Sequence, residues 1–404
     1  MKEERRMELT TKQLEGLKIA VERYKNKEAY TCISGFAGAG KSTLIKFIVA
    51  ALDIPESEVI YIAYTGKAAE VLRHKGCQNA MTAHKLLYYS SRQPDGKFLF
   101  RPRPHLDFAA RLIVVDEVSM LPKAMWELLL SHHIYVLACG DPGQLPPISK
   151  DTANDILEHP HVFLDEIMRQ AAESEIIRLS MDVREGRPLQ LMKGNEVQVI
   201  SKSEVIPGMY SWADEIIVAT NKKRNEINKL IRDGKGFGDE PQPGDKVISL
   251  CNHWDCSDVT GENALVNGTI GYIDPDAPVS LGSYNYNNVY RYIFKQPIYY
   301  ISGDIITETG ERFVDIDMDY QAFLTGERGL TPKQEWWLAT RINKDVHPYE
   351  FNYGYAITCH RAQGSEWDKV MVFEENFPFD KEEHKRWLYT AVTRASKKLV
   401  LVKK

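Results

Sequence analysis

The segment Gly35-Phe36-Ala37-Gly38-Ala39-Gly40-Lys41-Ser42 constrains this chain more than any other. It matches the pattern G-x-x-x-x-G-K-[ST], and its flanks suit that pattern's mechanism. Tyr30-Thr31-Cys32-Ile33-Ser34 ahead of it reads as a buried strand, and the residues from Lys41 onward read as a helix. Glycines let backbone N–H groups turn inward around phosphate oxygens, and the helix N-terminus adds its dipole. Gly35, Gly38, Ala39 and Gly40 form the expected cradle. Lys41 supplies the reach to the β- and γ-phosphates, and Ser42, with Thr43 beside it, the Mg2+ end. A strand–loop–helix unit of this kind belongs in a parallel sheet with helices on both faces.

The chain downstream keeps that rhythm. Glu58–Ala63 reads as a second strand, with a helix from Gly66. Leu112–Val115 reads as a third, ending on Asp116-Glu117, and His133–Cys139 as a fourth, ending on Gly140-Asp141. An acidic pair at a strand's carboxyl end faces the phosphate loop from a neighbouring strand. Asp116 is expected to hold Mg2+ and Glu117 to polarise an attacking water. Residues 88–108 interrupt the rhythm: Pro94-Asp95-Gly96 between aromatic segments signals a hairpin. A second α/β pattern begins near residue 160. Between residues 246 and 345 short β-type segments separated by Gly, Asn and Pro predict a small β-rich insertion.

Composition narrows the class. With 51 Lys and Arg against 56 Asp and Glu, the net charge is −5, and that balance alone does not point to nucleic acid, whose binders are usually basic. The six cysteines form no C-x-x-C pair and read as free thiols of a reducing cytoplasm. Cys251, His253 and Cys256 supply three possible metal ligands but lack the fourth that a structural zinc needs. No apolar run approaches the roughly 18 residues of a membrane span, and the charged first residues do not read as a signal peptide. No cluster of carboxylates with a lysine suggests a nuclease.

Gly140-Asp141-Pro142-Gly143-Gln144-Leu145-Pro146-Pro147 follows the fourth strand, with Gln144 placed to sense a γ-phosphate. Together with Asp116-Glu117-Val118-Ser119-Met120 it resembles motifs III and II of superfamily 1 helicases. The resemblance runs along residues 9–400. Gln13, in Leu9-Thr10-Thr11-Lys12-Gln13, looks like the Q-motif glutamine that reads adenine. Thr65-Gly66-Lys67-Ala68-Ala69 resembles motif Ia, Thr82-Ala83-His84-Lys85-Leu86-Leu87 motif Ib, and Leu164-Asp165-Glu166-Ile167-Met168-Arg169-Gln170 motif IV. The run from Tyr353 to Glu366, with Thr358-Cys359-His360-Arg361-Ala362-Gln363-Gly364-Ser365-Glu366, resembles motif V, and Leu388–Ala395 motif VI. Order, spacing and wording are similar to the RecD/Dda branch, superfamily 1B.

That resemblance implies an α/β fold with two RecA-like parallel-sheet cores. The first, 1–160, would carry the 88–108 hairpin as a strand-separating pin. The second, 161–245 and 346–404, would carry residues 246–345 as an SH3-like insertion. ATP with Mg2+ would sit against the first core. Arg169 and Arg394 would act as arginine fingers, and Gln363 and Gly364 would link the γ-phosphate to a DNA track. Thr65, Lys67, Thr82, His84, Thr220, Asn221, Thr358 and His360 would line the track. Phe98, with Phe100, would flank the pin, and Trp336-Trp337 would belong to the insertion's core or to an exposed face. The implied activity is ATP-dependent 5′→3′ translocation on single-stranded DNA with separation of forked duplex, by a monomer working beside single-stranded-DNA-binding or replisome proteins. The alternatives are a non-unwinding ATPase subunit of a recombination or repair complex and an RNA helicase of the same superfamily.

Overall fold

The computed structural model describes residues 9–92, 98–107, 109–146, 154–261, 263–284, 297–326, 330–338 and 348–404. The chain forms two compact units, one of Met1–Tyr88, Pro102–Glu204 and Gln363–Lys404, the other of Tyr89–Arg101 and Val205–Ala362.

In the first unit a six-stranded parallel sheet runs Ala80–Thr82, Val59–Ala63, Leu112–Val115, Tyr135–Gly140, Tyr30–Gly35, Val162–Leu164. Its inner strands are largely apolar because both faces are covered. Successive side chains alternate between two cores: Leu112 and Val114 join Ile33, Leu44 and Ile48 on one face, while Ile113 and Val115 join Cys32, Leu86 and Leu129 on the other. Each such fully buried Leu, Ile or Val contributes about 1.5–3 kcal/mol. The register sets the site. The phosphate-loop strand pairs with Tyr135–Gly140, which pairs with Leu112–Val115. The loops that follow Gly35, Val115 and Gly140 therefore emerge side by side at the strands' carboxyl ends, where ligands bind in such sheets.

The expected boundary at 160 falls inside this sheet, since Val162 pairs with Ile33 on its edge. The same unit holds the strands Met192–Lys193, Val197–Ser201, Trp367–Phe373 and Ala395–Lys403. It also holds the helix Lys381–Val392, capped by Asp380, whose carboxylate accepts from the Glu382 and Glu383 amides. The C-terminal segment from Gln363 is thus compact with the phosphate-loop sheet. Three side-chain bonds to backbone tie them: Tyr389 to Ala37, Thr390 to Leu145 and Gln363 to Leu145.

In the second unit, Glu215–Val218 and Ala356–Thr358 pair in parallel. The helix Asn221–Gly234 follows the first of them, with Thr220 as its N-cap. A small barrel of antiparallel ladders, closed by one parallel bridge, fills most of the rest. Lys246–Ser249 pairs with Ile270–Ile273, which pairs with Ile298–Thr307, which pairs with Arg312–Asp319. Met318 then bridges Tyr349, and Phe351–Tyr353 returns to pair with Lys246–Ser249, so the hydrogen-bonded ring closes. Val247, Ile273, Ile305, Phe313, Ile316 and Met318 fill it. The ring uses Phe351–Tyr353, so this β-rich body extends past the expected end at 345. Tyr88–Arg92 and Phe98–Pro102 form a two-stranded ribbon. Its Asp95-Gly96 tip lies outside the described residues, and residues 89–101 group with the second unit, not with the first core as expected. Among the described residues no helix is long and apolar enough to cross a membrane.

Candidate functional site

The phosphate loop is built as its glycines require. Gly38 and Gly40 sit at φ +78° and +77°, the left-handed region that L side chains rarely adopt. A Cβ on Gly40 would lie 2.4 Å from Gln13 Nε2. Gly40 caps the helix Lys41–Ala51, whose N-terminal amides are aimed for an anion. Lys41 Nζ donates to the carbonyls of Gly35 (2.7 Å) and Phe36 (3.1 Å). Gln13 is buried behind this loop. Its Oε1 accepts from the Thr10 amide in a capping box, and its Nε2 donates to the Gly40 carbonyl at 3.3 Å. The side chain expected to read adenine therefore has its carboxamide committed to the helix start and the loop.

Opposite stands the acidic pair. Asp116 Oδ1 accepts from the Glu117 amide (3.0 Å) and from the Cys139 thiol (3.3 Å), which fixes the carboxylate's rotation. Glu117 takes φ +49°, a left-handed conformation uncommon for its residue type and a form of strain that gathers at working sites. Gln144 Nε2 reaches Glu117 Oε1 at 3.5 Å, and Arg394 Nη1 lies 3.7 Å from the same oxygen. Glu117 Oε2 is buried and has no hydrogen-bond partner among the described residues. Burial raises the Glu117 pKa, and the Arg394 charge works against that rise.

Arg394 is held firmly: Nε donates to Thr390 O at 3.0 Å and Nη1 to Ser365 O at 3.2 Å. Gly364, at φ +76°, presses so close to the helix Gly66–His74 that a Cβ would meet Ala68 Cβ at 2.7 Å. A cleft of about 390 Å3 results, lined by Gly38, Lys41, Ser42, Asp116, Glu117, Gln144, Gly364 and Arg394 among others. The hydroxyl of Ser42 and the carboxylate of Asp116 are the hard oxygen donors that suit Mg2+. A lysine, two carboxylates, a glutamine and an arginine around one anion-binding loop form the constellation of phosphoryl transfer to water.

Other expected residues lie elsewhere. Gln363 is buried and donates to the Leu145 carbonyl at 2.8 Å. Ala39 is buried in the first unit's core, and neither it, Gly35 nor Thr43 lines the cleft. The Arg169 side chain falls outside the described residues; the neighbouring Met168 amide donates to Gly38 O at 3.1 Å. Thr65, Thr82 and Thr220 each cap a helix, accepting from the amides of Ala68, Lys85 and Lys223. Lys67 is buried with Nζ 3.5 Å from Glu70. His84 packs between Tyr64 and Tyr88, and burial lowers its pKa, as it does for His360. In the second unit Asn221 accepts from Arg224, and Thr358 ends its strand. Phe98 begins a ribbon strand, but its side chain is outside the described residues, while Phe100 is exposed. Trp337 is buried with Ile298 and Leu338, whereas Trp336 is exposed. Cys251 donates to Glu350 and Cys256 lies in the barrel core, so the three candidate ligands do not converge. Tyr389, Asp141 and Ser365 were not singled out from sequence, although all three sit inside motif wording.

Residues 9–204 match the family model described as an AAA domain, and residues 353–402 that of a UvrD-like helicase C-terminal domain. The ATP-dependent RecD2 DNA helicase of Deinococcus radiodurans is 28% identical over 398 residues, which is 90% of this chain and 45% of that protein. The ATP-dependent DNA helicase dda of Enterobacteria phage T4 is 29% identical over 249 residues, 56% of this chain and 57% of that one. The chain thus spans about half the length of these curated relatives. Among solved structures, the Pif1 helicase from Bacteroides in complex with ADP-AlF3 and ssDNA overlays with a TM-score of 0.52 at 16% identity, covering 98% of this chain and 92% of that one. That likeness is one of fold. Both family models matched in order, the RecD2 and dda relatives, and the phosphate loop, acidic pair and motif VI arginine on one cleft together support a superfamily 1B helicase.

Proposed function

We propose that this chain is an ATP- and Mg2+-dependent DNA helicase that moves 5′→3′ on single-stranded DNA and separates forked duplex. The observation that carries the reading is the convergence of Lys41, Ser42, Asp116, Glu117, Gln144 and Arg394 on one cleft. The names of the relatives, both ATP-dependent DNA helicases, support the substrate class. When bound, Mg2+ would be held by Ser42 and Asp116 and would neutralise charge on the β- and γ-phosphates. Lys41 withdraws charge from the transferring group, Glu117 orients and deprotonates water, and Arg394 meets the charge that grows in the transition state. Arg169 serves as a second finger in this reading, and Gln363 and Gly364 connect the cleft to the strand being moved.

Thr65, Thr82 and Thr220 stand at helix starts, where backbone amides meet phosphates without reading bases. Lys67, His84, Asn221, Thr358 and His360 extend the track, and the ribbon with Phe98 acts as the pin. The closed barrel of the second unit serves as the SH3-like insertion. The protein works as a soluble cytoplasmic monomer with single-stranded-DNA-binding or replisome proteins as partners. Strand displacement on duplexes with a single 5′ or 3′ tail tests the proposal. Unwinding confined to the 5′-tailed substrate is expected; equal unwinding of both, or none with ATP turnover intact, refutes it. An RNA strand that stimulates ATP turnover better than DNA would refute the DNA assignment.

A further inference from the structure

One buried side chain joins three catalytic segments and has no part in the roles above. Tyr389 is 1% exposed on the helix Lys381–Val392. Its hydroxyl accepts from the Ala37 amide at 2.8 Å and donates to Asp141 Oδ2 at 2.7 Å. Asp141, itself 3% exposed, turns its other oxygen to the Gly143 amide at 2.8 Å. One residue on, Thr390 Oγ1 accepts from the Leu145 amide at 2.9 Å and donates to the Arg386 carbonyl. The same helix delivers Arg394, through its bond to Thr390 O, to Glu117. The phosphate loop, the Asp141–Leu145 turn that carries Gln144, and the arginine segment therefore meet at one phenol. Burial and the Asp141 charge raise the Tyr389 pKa, so the hydroxyl keeps the proton it donates.

A phenol suits this point because it accepts one bond and donates another along a rigid ring. Phenylalanine would fill the same space and hold neither neighbour. Space is tight: a Cβ on Gly143 would stand 3.0 Å from the Tyr389 ring. Ala37 lines the nucleotide cleft and Tyr389 does not, so the phenol acts on the cleft through the loop.

We propose that Tyr389 is a positioning residue for ATP hydrolysis, fixing the Ala37 end of the phosphate loop against Asp141 so that Gln144 and Arg394 meet the γ-phosphate in register. The proposal rests on the ATPase reading above. It makes the hydroxyl matter to the chemical step more than to nucleotide affinity, because loop misplacement of about 1 Å costs on the order of 100-fold in rate.

The test compares wild type, Tyr389→Phe, Asp141→Asn and the double variant in steady-state ATP turnover with saturating single-stranded DNA, each checked for folding by thermal melt. The expected result is a kcat lowered about 10- to 100-fold in Tyr389→Phe with KM for ATP within about threefold. The double variant should be no slower than the slower single, because both lose the same bond. A wild-type kcat in Tyr389→Phe overturns the proposal, as does additive loss in the double variant. So does a loss confined to KM or to melting temperature. If Tyr389→Phe does not fold, Asp141→Asn alone carries the test: a kcat loss at constant KM supports the proposal and an unchanged kcat overturns it. A wild type without ATP turnover defeats the ATPase reading itself, which separates the two failures.

Discussion

Two clusters of buried charge, one in each unit, are treated in opposite ways. In the second unit's cluster, at the start of the barrel, it is satisfied. Arg232 meets Asp245 at 2.9 Å, Asp245 also accepts from Tyr355 at 2.9 Å, and Lys246 lies 3.0 Å from both Glu215 and Glu308. In the nucleotide cleft it is left short. Glu117 has one buried oxygen without a hydrogen bond, a left-handed backbone and a 3.7 Å approach from Arg394. A satisfied network fixes the start of the barrel against the helix Asn221–Gly234. An under-satisfied one keeps its charges available for a ligand whose own charge completes them.

The largest effect that can break this contrast is at Glu117. Glu117→Gln should lower ATP turnover about 100- to 10,000-fold while nucleotide still binds, measured by steady-state kinetics and equilibrium binding. The sign of its pH dependence follows. Burial raises the pKa, the base must be deprotonated, and so wild-type kcat falls with acidification from a pH above the ordinary carboxylate range. Residual turnover in Glu117→Gln should lack that limb.

Asp245→Ala probes the satisfied side. Leaving Arg232 buried without its carboxylate should cost about 3–5 kcal/mol in denaturant unfolding. Turnover below the melting transition should stay near wild type. A large turnover loss in a folded Asp245→Ala protein would erase the distinction between the units.

Smaller still is Thr220→Ala. Loss of the cap to the Lys223 amide should cost about 1 kcal/mol. If Thr220 also meets a DNA phosphate, single-stranded DNA affinity falls with it, and Thr220→Ser restores both. A stability loss with unchanged DNA affinity would leave this threonine a cap alone.

The phosphate loop was legible because its chemistry is contiguous: eight residues carry cradle, lysine and hydroxyl, and the flanking strand and helix are long enough to show their period. Arg394 was legible through the wording around it. Tyr389 and Asp141 were not, because they are far apart in sequence and only the fold shows that their side chains meet. Both misplaced boundaries have one cause. Val162–Leu164 and Phe351–Tyr353 are three residues each, too short for a periodic signal, and their places are set by pairing with distant strands. For the threonines, the residue that caps a helix is also the residue that could touch a phosphate, and sequence does not separate the two uses. Cys251, His253 and Cys256 illustrate the reverse: suggestive spacing, with side chains sent to different neighbours.

The cleft around Lys41 is expected to hydrolyse ATP in response to single-stranded DNA. ATP turnover by the wild type and by Lys41→Ala, each with and without single-stranded DNA and each verified as folded, tests it most directly. Wild-type turnover should rise on adding DNA, and a folded Lys41→Ala protein should be silent under both conditions. Wild-type turnover indifferent to DNA, or turnover retained in Lys41→Ala, would contradict it.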